Sequence, residues 1–335
     1  MSTREDIQQA GWSQTPHPSV WKRLVTRVRP KDATGLWIMV FLLPFLFLYG
    51  AFTLWPLIAT FAYSLFDWGG IGPLLGKDFI GLGNYSEMVH DPLFWSSFKH
   101  TLIFAFANTA IKLPLSLVVA TVLTRRWLWL KRLFRTVFFV PLILPVSIAG
   151  LIFTYLLNPA NGALDSFLLQ IHVIKEPIDI LGHGDTALAA IILISVWQIF
   201  GQYVIYWMAA LQAVPEDLYE AADLDRANEW QKLIHVTLPS IRPTAVVITL
   251  LALVNALDVL NIVVTLTSGG PGTSTYVTPY YVFQEAFQYL PFRYGYASAI
   301  AMFYALFAVV FVIAQHLLTR SSDQTAKTTG WGGRA

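Results

Sequence analysis

The run TALAAIILISVWQIFGQYVIYWMAALQAV, residues 186–214, holds no Asp, Glu, Lys, Arg or His. At about 1.5 Å per residue, a helix of that length is longer than the roughly 30 Å hydrocarbon core of a bilayer. The run is continuously apolar rather than alternating, so it does not read as a barrel strand. In lipid every backbone N–H and C=O must be paired within the protein, which leaves a helix. Five further stretches of the same kind lie outward from it, at 35–66, 101–124, 136–157, 243–267 and 294–319. Their ionisable residues are Lys112, Asp258 and, near the end of the last, His316. The fold class this predicts is an all-α integral membrane protein with six transmembrane helices.

The composition agrees. Of 335 residues, 56% are hydrophobic and 13% charged, where soluble domains carry about 25% charged residues. Mean hydropathy is +0.56. These values exclude a soluble enzyme of ordinary composition, a disordered chain and a nucleic-acid-binding domain. The absence of Cys excludes a disulfide scaffold, thiol catalysis and thiolate metal sites.

The Lys and Arg residues set the orientation. Arg4, Lys22, Arg23, Arg27, Arg29 and Lys31 precede the first span, and Arg125, Arg126, Lys131, Arg132 and Arg135 follow the second. Arg226, Lys232 and Arg242 follow the fourth, and Arg320, Lys327 and Arg334 follow the sixth. The opposite side has Lys77, Lys99, Lys175 and Arg293. Cytoplasmic loops are the Lys/Arg-rich ones, so both termini are expected in the cytoplasm, as six spans require. Residues 1–34 are then a cytoplasmic N-terminal tail. Residues 35–320 are a six-helix membrane domain with a cytoplasmic loop at 215–243. Residues 321–335 are a polar, Gly-rich tail expected to be disordered. The run from residue 35 is far longer than a signal-peptide core and reads as a membrane helix. Ahead of it, Trp21, Leu24, Val25 and Val28 recur at helical spacing among basic residues. That stretch is either an amphipathic helix on the inner leaflet or a solvated basic tail. Pro44, Pro56, Pro114, Pro141 and Pro145 lie within spans, where each favours a kink or a break. Such irregularity is tolerated where it lines a cavity, which suits a transporter; a static bent helix is the plainer alternative.

The loop after the fourth span is unlike the other inner segments. Pro215 is a good first helical residue, and Glu216 and Asp217 favour the positive end of the helix dipole. Glu216, Asp217, Glu220, Asp223, Asp225 and Glu229 outnumber Arg226, Lys232 and Arg242. Small side chains at Ala221 and Ala222 allow close approach of a partner, with acids at the rim, as in helix-in-groove docking. A solvated helical hairpin is the alternative. Glu220-Ala221-Ala222, Asp225-Arg226-Ala227, Thr237-Leu238-Pro239 and Pro243 together resemble the EAA loop of binding-protein-dependent ABC importer permeases. That family usually has Gly where this chain has Arg226, and Gly would ease the turn there.

Further segments resemble the carbohydrate branch of that family, of the maltose and glycerol-phosphate type. They are Ser268-Gly269-Gly270-Pro271, Tyr294-Gly295-Tyr296-Ala297-Ser298-Ala299, Trp55-Pro56 and Gly81-Leu82-Gly83-Asn84-Tyr85. The resemblance implies a type I, maltose-permease-like fold in a bacterial or archaeal cytoplasmic (inner) membrane, forming half of the pathway of an ATP-driven importer for a sugar, oligosaccharide or glycerol-phosphate-like solute. It implies that Glu220, Ala221, Ala222, Asp225, Arg226, Leu238 and Pro239 couple the chain to an ATPase. Its implied partners are a second homologous permease, a dimer of ATPase subunits, an extracytoplasmic solute-binding protein and membrane lipid. The outer loops at 67–84 and 269–293 are the expected docking surface for the binding protein. ATP and Mg would sit on the ATPase, so this chain is expected to bind no cofactor and to be no enzyme.

No nucleotide site is encoded. Gly72-Pro73-Leu74-Leu75-Gly76-Lys77-Asp78 is one residue short of a phosphate loop, and Asp78 stands where Ser or Thr should hold magnesium. No catalytic residue is assigned. His90, His100, His172 and His183 lack ligand spacing, so no metal site is expected. Ionisable groups within spans are costly and point to function. Asn255, Asp258 and Asn261 are spaced to share a helix face, where they would bond sugar hydroxyls. Gln198, Gln202 and Tyr203 on the fourth span are further candidates, with Trp197, Tyr206, Trp207 and Tyr304 as aromatic platforms. Inter-helix hydrogen bonding is the alternative, at about 0.6 kcal/mol per contact. Lys112 either neutralises Asp258 as a buried pair or faces a water-filled path. An ion-coupled secondary transporter using Lys112 and Asp258 is the competing function, and it leaves the acidic inner loop unexplained.

Overall fold

A computed structural model describes residues 31–73, 76–124 and 131–328. The basic stretch at 21–29 lies outside them. The chain divides after Ala59 into two units. The first helix, α1 (Lys31–Tyr49), passes Pro44 unbroken and widens into a π turn at Gly50–Leu54, followed by α2 (Trp55–Tyr63). The π turn has a steric cause. A proline ring clashes with the carbonyl four residues earlier, and Pro56 would meet that of Phe52. Widening the turn just before the proline relieves that clash.

The second unit begins within α2. After a loop come α3 (Gly83–His90), α4 (Pro92–Thr124), α5 (Lys131–Ile143), α6 (Val146–Leu156), α7 (Ala163–Gln170) and α8 (Gly184–Gln212). The loop expected on the inner side holds α9 (Glu216–Leu224) and α10 (Glu229–Lys232); a second π turn, Leu233–Thr237, leads into α11 (Leu238–Leu257). Pro239 stands two residues past that turn, as Pro56 does past the first. Then follow α12 (Leu260–Leu266), α13 (Thr278–Phe287) and α14 (Tyr294–Thr328).

Among the described residues, five helical segments are long and apolar enough to cross a membrane: Trp37–Tyr63, Pro92–Thr124, Gly184–Gln212, Glu229–Leu257 and Tyr294–Gln315. The stretch read as the third span is two helices, Thr136–Ile143 and Val146–Leu156, bent by 102°. Pro145 causes the break: it lacks an N–H and drives Leu144 out of the helical region. Counting the bent pair as one span gives six. The fifth span also departs from a straight helix. It ends at Leu257, and Asp258 and Val259 join it to α12. The last helix continues to Thr328. After Gly295, in its first turn, the sequence has no Gly or Pro before Gly330.

The core is built where α4, α5 and α11 pack on α8, and α12 on α6. Two apolar clusters form along these helices. One includes Phe94, Phe104, Ile191, Val263 and Tyr296; the other includes Ala120, Tyr203, Trp207, Ile241 and Ala252. Small residues set the closest approaches. A Cβ on Gly201 would run into the Phe138 carbonyl, and one on Gly150 into the Thr265 side chain. On α4, Asn108 and Lys112 fall between the two clusters, and on α8 so do Ser195 and Gln198. A polar cavity opens there.

Candidate functional site

The broken helices converge on one cavity of about 540 Å³. Its walls include Asn108 and Lys112 of α4, Leu144 and Pro145 at the first break, Ser195, Gln198 and Gln202 of α8, and Asn255, Asp258 and Asn261 around the second. Its size lies within the roughly 300–1,000 Å³ of small-molecule sites. Gln198 donates through Nε2 to the Leu144 carbonyl at 3.0 Å, satisfying backbone freed by the break. At the second break Tyr304 donates to the Leu257 carbonyl at 2.8 Å. Side chains therefore restore the hydrogen bonds that the interrupted helices lose.

The cavity gathers most of the polar residues expected from the sequence, with changes in role. Asn255, Asp258 and Asn261 do not share one helix face, because the helix stops between them; all three still line the cavity and are exposed in this chain. Tyr203 is fully buried behind the wall. Its hydroxyl accepts from Asn255 at 3.1 Å, and its ring lies 4.4 Å from the Lys112 ammonium. Lys112 does not pair with Asp258. It donates to Asn108 Oδ1 at 2.9 Å and is 1% exposed. Gln202 turns aside to donate to Tyr206 at 2.6 Å. Trp207 donates to Ser116 at 3.1 Å, Trp197 packs edge-on to Phe153, and neither lines the cavity. Asn108 and Ser195 were missed. Each lies one helical turn before a residue already singled out, Lys112 and Gln198, and that spacing was the available signal.

The inner loop folds as two short helices. The amide of Ala227 donates to the Ala222 carbonyl at 2.9 Å and that of Arg226 to Asp223 at 3.0 Å, which is a Schellman closure. It requires a left-handed residue, and Arg226 takes φ 56°. The turn is therefore kept without Gly, against about 1–2 kcal/mol of steric cost. Asn228 then caps α10 in a reciprocal box with Gln231. Tyr219 bonds Thr237 at 2.9 Å and Lys232 pairs with Asp223 at 2.5 Å, which ties α9 to the base of α11. Ala222 is buried against that base, whereas Glu220, Ala221, Asp225, Leu238 and Pro239 are exposed, as is Leu224 at 86%.

At the other end of α4, Asp91 accepts the Leu93 amide at 2.8 Å and the hydroxyls of Tyr281 and Tyr296 at 2.5 and 2.7 Å. Burial pushes its carboxyl upward, but these bonds outweigh burial and hold it below the ordinary value. Beside it, Arg293 pairs with Glu87 at 2.6 Å and Glu285 at 3.6 Å. Burial raises the Glu285 carboxyl, against the pull of Arg293. This cluster fastens the loop before α4 to the segment before α14.

Helices interrupted around a polar cavity at membrane depth are the arrangement of a membrane transporter. The chain belongs to the family described as binding-protein-dependent transport system inner membrane component, which matches residues 112–324. It is 34% identical over 269 residues to the probable ABC transporter permease protein YurN of Bacillus subtilis (strain 168), covering 78% of this chain and 90% of that protein. It is 28% identical over 291 residues to the lactose transport system permease protein LacF of Rhizobium radiobacter, covering 86% and 95%. Its fold matches a chain of a bacterial alginate ABC transporter crystallised with an alginate pentasaccharide-bound periplasmic protein. There the TM-score is 0.75 at 22% identity, covering 87% of this chain and 96% of that one.

Proposed function

We propose that this chain is the permease subunit of an ATP-driven importer for a sugar or oligosaccharide. It forms half of the pathway and takes up the ATPase stroke through the loop at 215–243. The observation that carries this is the polar cavity between the two helix breaks. Asn255, Asp258, Asn261 and Gln198 present donors and acceptors of the kind sugar hydroxyls need, with Gln202 beside them. Tyr203 acts from behind, by holding Asn255. Relatives named for lactose, arabinooligosaccharides and starch degradation products support the solute class. A binding protein is supported by the alginate complex.

For coupling, Glu220, Ala221, Asp225 and Arg226 form the exposed side of α9 and its turn, and Ala222 is the contact that holds α9 down. Leu238 and Pro239 fix where the loop meets α11. A second permease, a pair of ATPase subunits carrying ATP and Mg, and surrounding lipid complete the assembly, with both termini cytoplasmic. The ion-coupled alternative loses its motive, because Lys112 bonds Asn108 rather than Asp258.

The test is purification of the tagged chain from its native membrane in mild detergent. An ATPase and a second permease should co-purify, and both ATPase contact and solute-stimulated hydrolysis should be lost in Glu220→Lys. In the intact complex, Asn255→Ala should lower sugar uptake with ATPase contact unchanged. A lone chain that still moves solute in vesicles would overturn the assignment.

A further inference from the structure

Lys112 is the most deeply buried charge among the described residues of the membrane helices. At 1% exposure its ammonium has one hydrogen bond, to Asn108, and the face of Tyr203. An ammonium has three donors, and a buried charge without a countercharge is strongly disfavoured. No carboxylate of the described residues lies within ion-pair distance of it. Asp258 lines the same cavity, but it is exposed in this chain. The cavity therefore has a buried cation with spare donors and, apart from it, an exposed carboxylate. A second feature has the same sign. Pro145 and Val146, at the start of α6, also line the cavity, and no side chain caps that helix. The start of a helix favours an anion.

We propose that the imported solute is an acidic carbohydrate, whose carboxylate, sulfonate or phosphate is received by Lys112. This rests on the cavity being the solute path. Such a solute matches both parts of the wall. Its anionic group supplies the countercharge that Lys112 lacks, and its hydroxyls donate to Asp258 and bond Asn255 and Gln198. Lys112 is then the residue that decides between acidic and neutral sugars at the membrane site. A charge-assisted hydrogen bond is about twice as strong as a neutral one, so a preference of about tenfold is expected.

The experiment measures binding to the assembled transporter in phosphatidylcholine nanodiscs without binding protein, so that protein's own preference does not enter. The probes are radiolabelled cellobiouronate and cellobiose, which differ by a carboxylate. The wild type should bind the acid about tenfold more tightly. Lys112→Gln should reduce the acid to the level of cellobiose, and Lys112→Arg should keep most of the preference. Recovery of both variants with the ATPase and the second permease at wild-type stoichiometry verifies assembly. Equal binding of the two sugars, or a preference that survives Lys112→Gln, overturns the proposal and leaves the cavity as the solute path. Binding of neither sugar overturns both. Inorganic phosphate that binds as tightly as cellobiouronate also overturns it, because the site would then read charge alone.

Discussion

Two lysines lie in two contrasting regions of this chain. Lys112 sits at membrane depth, 1% exposed, with a single neutral hydrogen-bond acceptor. Lys232 sits at the foot of the inner loop, between Asp223 at 2.5 Å and Glu229 at 3.3 Å. The second is better paired yet matters less for stability, because water already solvates the region around it. The first is poorly paired in a place where nothing else solvates it. The difference explains why the inner loop carries so many acids without penalty, whereas a single cation organises the cavity wall.

That contrast can be broken or sharpened by removing partners. Asn108→Leu takes the hydrogen bond from Lys112 and should cost about 1.5–3 kcal/mol, seen as a lower thermal unfolding midpoint in detergent. The double change Asn108→Leu with Lys112→Met should recover part of it. In the inner loop the largest effect should be a gain: Arg226→Gly relieves the left-handed residue and should stabilise the turn by about 1 kcal/mol. Slower amide exchange at Ala227 would register it. At the outer end, Asp91 is an intermediate case. Its folded value lies below the ordinary 3.8, so its contribution is present above that pH and lost as pH falls through the lower folded value. Amide exchange at Leu93 should accelerate on strong acidification, and Asp91→Asn should remove that step. The smallest effect belongs to the partner of Lys232. Asp223→Leu should leave the unfolding midpoint of the complex where it was. A loss comparable to Asn108→Leu would mean that the loop is not the solvated region described.

Much of this was legible in the sequence, for separable reasons. Membrane helices announce themselves because lipid admits no polar run, and the acidic loop because it violates the surrounding charge pattern. The cavity was half legible. Asn255, Asp258, Asn261 and Gln198 stand out as polar residues in apolar runs, and all line it. Their grouping on one helix face was wrong, since periodicity assumes an unbroken helix and α11 stops at Leu257. The pairing of Lys112 with Asp258 failed because opposite charge says nothing about distance, and Asn108 was nearer by one turn. Prolines signalled a break without locating it: Pro44, Pro114 and Pro141 remain inside helices, and Pro145 alone among these breaks its span.

The π turn at Leu233–Thr237 sets the phase of everything beyond it. A turn closed by i→i+5 bonds contains one residue more than an α turn, and one residue is about 100° of rotation. Ile241, Ile248 and Ala252, which face the core, owe their azimuth to that extra residue. Deleting one residue from the segment would leave a smooth helix of unchanged composition. Its apolar stripe and Asn255 would each point about a quarter-turn away from where the fold needs them.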